Sequence, residues 1–263
     1  MSFKDIFKKS FLEGFATGEL TGRVILAALG IAAVLALYIF FVYRVMTRKT
    51  FYSKNFGIAL SKTIRSFGAE PTEALLNRYH EINKWHWEQL ELGKMTRDQV
   101  LVNRFGALFQ ELGMAVDAAS CAKSYESNLS IGHYFLPGAE EAVKKLHEKY
   151  RLFLVSNGTA TVQHSRLTSA GLYPYFEQVF ISQEIGFNKP DKAYFDRCFA
   201  RIPGFELEHA LMVGDSLTSD IRGGINAGLK TVWINPRHKP CGDIRPDYEI
   251  EGLPQLEALL EEL

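Results

Sequence analysis

The chain has 263 residues and 47% hydrophobic content, enough apolar material for one large domain or two small ones. Its 30 Lys and Arg balance 30 Asp and Glu, which excludes the strong global field that favours nucleic acid and leaves any anion binding to local groups. Cys121, Cys198 and Cys241 are odd in number and far apart, which argues against a disulfide framework or a cysteine metal site and predicts reduced thiols in a cytosolic compartment.

The chain begins with an amphipathic stretch in which Phe3, Ile6, Phe7 and Phe11 are interleaved with lysines. Val24 to Tyr43 then runs without a charge between Arg23 and Arg44. About 20 residues at about 1.5 Å each cover a hydrocarbon core of about 30 Å, so the run has the dimensions of a membrane span. Asp5, Glu13 and Glu19 ahead of it do not suit a cleaved signal peptide. Lys and Arg are somewhat denser after the run (Arg44, Arg48, Lys49, Lys54) than before it (Lys4, Lys8, Lys9, Arg23). This orients the remainder toward the cytoplasm, anchored at the inner membrane. The competing reading takes Tyr38 to Tyr43, rich in aromatic and β-branched residues, as a buried strand. Residues 1–57 thus predict an anchor-like segment containing a hydrophobic helix or strand. With its exit from Arg48 to Phe56, this block resembles the start of an uncharacterised family of bacterial multi-span membrane proteins, whose further spans are absent here.

Residues 58–133 carry helical periodicity. Thr72, after Pro71, is placed to cap a helix with Leu75, Leu76, Tyr79, Ile82 and Trp85 on one face, ended by Gly93. Thr96 and Gln99 have capping-box spacing and open a second helix through Val100, Leu101, Phe105, Leu108 and Phe109, which stops near Gly113. A helical module this small is expected to pack on something else.

Residues 134–263 alternate strand and helix, with strands at Leu152–Val155, Val179–Ser182, Ala210–Val213 and Thr231–Ile234. Alternation predicts an α/β fold with a parallel sheet, whose ligands bind at the carboxyl ends of the strands. Three post-strand loops have suitable chemistry. Ser156-Asn157-Gly158 offers a hydroxyl, an amide and a flexible backbone to an anion. Lys189-Pro190-Asp191 offers a cation followed by a helix cap. Gly214-Asp215-Ser216 with Asp220 offers two carboxylates of the kind that hold Mg²⁺.

In that order, these loops resemble the second, third and fourth motifs of haloacid dehalogenase-type hydrolases. The resemblance covers residues 58–263 and implies a Rossmann-like three-layer core with an α-helical cap at 58–133. Tyr79 to Asn83, Trp87, Glu91 to Thr96, Phe135 to Gly138 and Ile181 to Gly186 are similar to the pyrimidine 5′-nucleotidase branch. By this resemblance the chain hydrolyses the phosphate monoester of nucleoside 5′-monophosphates. Ser156 holds the phosphoryl group with Asn157 and Gly158, Lys189 screens nucleophile and phosphate, and Asp215 and Asp220 hold Mg²⁺. Trp85 or Trp87 is a candidate for stacking on the base.

The family's first strand ends in Asp-x-Asp-x-Thr, which supplies nucleophile and general acid. Counting back from Ile58-Ala59-Leu60-Ser61 places Arg44 and Met46 at those two positions, and Asp5 is the only aspartate ahead of the cap. Two further readings follow: a membrane-tethered protein that binds nucleotide or phosphate without turnover, or a fusion of two coding segments near Ile58. The slot of the family's first strand is central in the sheet, and Tyr38 to Tyr43 can fill it only if they do not span a membrane.

Overall fold

The computed structural model describes the strand Tyr38–Val42 and residues 55–131 and 138–263. Strand β1 is Tyr38–Val42. Four helices follow: α1 (Asn55–Ser66), α2 (Glu73–Glu91), α3 (Arg97–Glu111) and α4 (Ala118–Ser130). Helix α5 (Ala139–Lys149) then leads into the alternating part, which comprises β2 (Arg151–Ser156), α6 (Ala160–Ser169), β3 (Gln178–Ile181), α7 (Ser182–Ile185), α8 (Lys192–Phe199) and β4 (Ala210–Gly214). A π-helical turn at Leu217–Ile221, α9 (Arg222–Ala227), β5 (Lys230–Ile234), β6 (Tyr248–Ile250) and α10 (Pro254–Glu262) complete it.

Local chemistry sets the helix starts. The Thr72 hydroxyl accepts from the Leu75 N–H at 3.3 Å. At Thr96 both halves of the capping box form: its hydroxyl accepts from Gln99 N at 3.3 Å, and its own N–H donates to Gln99 Oε1 at 2.9 Å. Gly93 lies just past the end of α2 with φ +69°, a left-handed conformation that ends a helix at no side-chain cost. The helices bury a common core in which the Tyr79, Phe105 and Tyr125 rings lie 5.1 to 5.9 Å apart. The Arg104 guanidinium sits 5.3 and 5.2 Å from the Phe105 and Tyr125 rings, and desolvation strengthens such cation–π contacts. Trp85 departs from the apolar face expected of it. It is 50% exposed and packs edge-on against His86.

All strand pairs are parallel, in the order β3-β2-β1-β4-β5-β6. Leu152 to Val155 and Leu211 to Val213 are buried whichever way their side chains point, as strands covered on both faces must be. One face packs Phe153, Val155 and Met212 against Tyr194, Phe195 and Cys198 of α8. Burial pushes the Cys121 and Cys198 thiols up to about 12, so both are inert, and no cysteine is bridged.

The central slot is filled. Tyr38 to Val42 pair with Arg151 to Val155 on one side, and Tyr38 to Phe41 with Ala210 to Val213 on the other. This corrects the expectation of a membrane span at residues 24–43, because the last part of that run forms two backbone ladders inside the sheet. Among the described residues no helix is long and apolar enough to cross a membrane. Residues 24–37 and Tyr43 lie outside the described residues, as does the multi-span resemblance except for β1 and the first three residues of α1. The alternation also extends beyond the elements expected from sequence, since α5, β6 and α10 join the core.

A proline inside β1 tests this placement. Phe40→Pro removes a ladder donor from a strand paired on both sides, leaving a buried partner unsatisfied at about 1–3 kcal/mol before steric strain is added. The thermal midpoint by circular dichroism is expected to fall by roughly 5 °C or more. An unchanged midpoint would remove β1 from the sheet.

Candidate functional site

The strand order reverses between β1 and β4, and a parallel sheet of this kind opens its ligand crevice outside the carboxyl ends of the strands at that point. Val42, the last residue of β1, is level with Val155, next to Ser156. Phe41 is level with Val213, two residues before Asp215. The chain therefore leaves β1 between the Ser156 and Asp215 loops. Arg44 and Met46, two and four residues further on, lie outside the described residues.

Lys189 and Asp220 form the centre of the site. Lys189 Nζ lies 3.0 Å from Asp220 Oδ1 and donates to the Val155 carbonyl at 3.1 Å, with the two side chains 1% and 2% exposed. Asp220 Oδ2 accepts from the Ser216 N–H at 2.9 Å. The carboxylate thus joins the Lys189 loop to the turn after β4. Gly214 makes room for it, because a Cβ there would lie 2.5 Å from Asp220 Cβ and 2.7 Å from Oδ2. Gly223 does the same for the Lys189 loop, since a Cβ there would meet the Phe195 ring at 2.8 Å and Pro190 Cα at 3.3 Å.

Asn157 clamps the same loop. Its Oδ1 accepts from Lys189 N at 2.9 Å, and its Nδ2 donates to Lys189 O at 2.8 Å and to Ser219 Oγ at 3.3 Å. Ser156 Oγ accepts from the Gly158 N–H at 3.0 Å, which keeps its own O–H available to donate. Asp215, 6% exposed, stands one residue past β4, with its backbone carbonyl held by Trp233 Nε1 at 3.2 Å. Asp191 caps α8 by accepting from Ala193 N at 2.9 Å. All six residues singled out from sequence, Ser156, Asn157, Gly158, Lys189, Asp215 and Asp220, therefore lie at one edge of the sheet.

Sequence reasoning missed several contributors. Tyr194, fully buried beneath the loops, donates from its hydroxyl to the Phe180 carbonyl at 2.7 Å, and burial raises its pKa well above the usual phenol value. Arg97, at the start of α3, crosses from the helical unit to the core. Its Nε donates to the Asn157 carbonyl at 3.3 Å, and its Nη2 donates to Asn188 Oδ1 at 2.7 Å and to Ser182 Oγ. Desolvation lowers its pKa, with Asp98 and Glu126 opposing. An arginine at N1 of a capped helix carries no sequence signal for such a reach. Trp87, which the sequence did single out, is half-buried and donates from Nε1 to Asn83 Oδ1 at 3.2 Å.

The donor set bears on magnesium. Buried carboxylate oxygens at a strand end are hard ligands of the right kind, and Mg²⁺ needs only one or two of them beside waters and substrate oxygens. Both Asp220 oxygens already accept from Lys189 and Ser216, which makes Asp215 the direct ligand this arrangement fits. Among the described residues, one group of three metal-ligating side chains, Glu206, Glu208 and His209, is close-set. It lies ahead of Ala210, at the opposite end of β4 from the site.

The profile of haloacid dehalogenase-like hydrolases matches residues 30–234. The chain belongs to that family. The match begins well ahead of Ile58, the start expected from sequence, and so includes β1. The chain is 43% identical over 190 residues to the HAD-hydrolase YfnB of Bacillus subtilis, 72% of this chain and 81% of YfnB. The crystal structure of YfnB bound to magnesium superposes with a TM-score of 0.80, covering 86% of this chain and 99% of that one. The pyrimidine 5′-nucleotidase PynA of Streptococcus pneumoniae is 37% identical over 195 residues, 73% of this chain and 82% of PynA. The pyrimidine 5′-nucleotidase YjjG of Escherichia coli is 33% identical over 184 residues, 69% and 80% of the two chains.

Breaking the central pair tests its structural weight. Lys189→Met leaves Asp220 buried without its cation, a change that typically costs about 3–5 kcal/mol. A fall in thermal midpoint on the order of 10 °C is expected in differential scanning calorimetry. A change within about 1 °C would show that Lys189 is not buried against Asp220.

Proposed function

We propose that this family member binds the phosphate of a nucleoside 5′-monophosphate at the strand ends and, with Arg44 at the nucleophile position, does not turn it over. One observation carries the binding half: Ser156, Lys189 and Asp215 converge around the switch point with Lys189 buried and compensated by Asp220. An ammonium has three donors. Two are directed at Val155 O and Asp220 Oδ1, which leaves the third for a phosphoryl oxygen. The Ser156 hydroxyl, accepting from Gly158, donates to the same group. Asp215 would hold Mg²⁺, with Asp220 positioning Lys189 and the Ser216 turn behind it. When bound, the metal offsets negative charge on the phosphoryl oxygens. The names of PynA and YjjG support a pyrimidine nucleotide as substrate class, and the magnesium-bound YfnB supports the metal.

The chemical half rests on sequence. No Asp or Glu lies between Glu19 and Glu70, so nothing following β1 supplies a carboxylate. A guanidinium remains protonated and has no lone pair with which to attack phosphorus. The thioether of Met46 cannot shuttle a proton to the leaving alkoxide. In-line transfer therefore lacks both attacker and acid.

The test is phosphate release from deoxyuridine monophosphate with Mg²⁺, using the full chain in mild detergent and Asp215→Asn as the blank. The unaltered chain is expected to match the blank, whereas Arg44→Asp with Met46→Asp is expected to exceed it. Turnover by the unaltered chain above the blank would overturn the inactive reading. A folded double variant with no turnover would show that the position of the missing motif is wrong.

A further inference from the structure

The two loops that face an anion in the proposed site are held together from outside the core. Arg97 belongs to α3, and its guanidinium reaches the Asn157 carbonyl at 3.3 Å, Asn188 Oδ1 at 2.7 Å and Ser182 Oγ. Asn157 adjoins Ser156, and Asn188 adjoins Lys189. The Asn157 side chain then closes the ring by bonding both Lys189 N at 2.9 Å and Lys189 O at 2.8 Å. A single planar fork thus fixes the spacing between the Ser156 loop and the Lys189 loop, which a lysine's point charge cannot do. The Thr96–Gln99 capping box fixes the backbone from which that fork projects.

Elsewhere the helical unit also bonds to the core. Thr159 Oγ1 donates to Glu126, and Ser165 Oγ donates to the Ser130 carbonyl at 2.8 Å. They act at or within α6 and do not touch Asn188 or Lys189. We infer that Arg97 is a positioning residue for the phosphate site: carried on the helical unit, it sets the distance between the Ser156 hydroxyl and the Lys189 ammonium, so anion affinity depends on a contact made by the cap. The inference rests on the proposed reading of the site as a phosphate site.

The experiment is titration of the full chain with inorganic phosphate in the presence of Mg²⁺, followed by ³¹P line broadening. Arg97→Ala is expected to weaken binding tenfold or more, with recovery in millimolar guanidinium. Asn188→Ala, which leaves the arginine in place, is expected to weaken binding severalfold. The double variant should be no weaker than Arg97→Ala alone, since both remove one contact. Ser165→Ala should bind as the unaltered chain does. The inference fails if folded Arg97→Ala keeps its affinity, if the two changes are additive, or if Ser165→Ala is as damaging as Arg97→Ala. Should Arg97→Ala fail to fold, an unchanged affinity in Asn188→Ala overturns it. Absence of phosphate binding in the unaltered chain would instead sink the reading of the site, and this inference with it.

Discussion

Lys189 and Asp220 face each other with side chains almost wholly buried, and the loops at the carboxyl ends of the strands are organised around them. Either charge alone would be costly there. Together they compensate, and their remaining hydrogen bonds reach the Val155 carbonyl at the end of β2 and the Ser216 amide past β4. One ion pair therefore ties two non-adjacent strands and the loop before α8. The glycines at 214 and 223 follow from it, because each clears the space that the carboxylate or the lysine's loop occupies.

Binding and bond breaking come from different segments of this fold. In the proposed reading, the groups that cradle an anion follow β2, precede α8 and follow β4, whereas the nucleophile and acid would follow β1. The Lys189–Asp220 pair and the Asn157 clamp draw on no residue between β1 and α1, so on that reading the attacker can be lost while both persist. An arginine at position 44 is thus compatible with a Lys189–Asp220 pair and an Asn157 clamp that form without it.

Much of this was legible in the sequence, for identifiable reasons. The Thr72 and Thr96 caps are local, three or four residues wide, and both formed as spacing predicts. The six candidate residues share an edge because strand-helix alternation places every post-strand loop at the same end of a parallel sheet. The run at 24–43 was ambiguous because a buried central strand and the end of a membrane helix call for the same apolar residues. Pairing with Leu152 and Leu211 separates them, and no local pattern reports it. Arg97 escaped for a related reason, since its three acceptors lie far along the chain.

The central strand has a consequence for how the protein is made. β1 emerges early from the ribosome, yet one partner begins at Arg151 and the other at Ala210. Until both are synthesised, an apolar segment with unpaired amides on two edges has no place to go. Parallel pairings across such separations close late and slowly, since loop entropy is lost before contacts repay it. During that interval the unpaired strand and its apolar side chains are exposed together, the condition under which a nascent chain is most prone to aggregate.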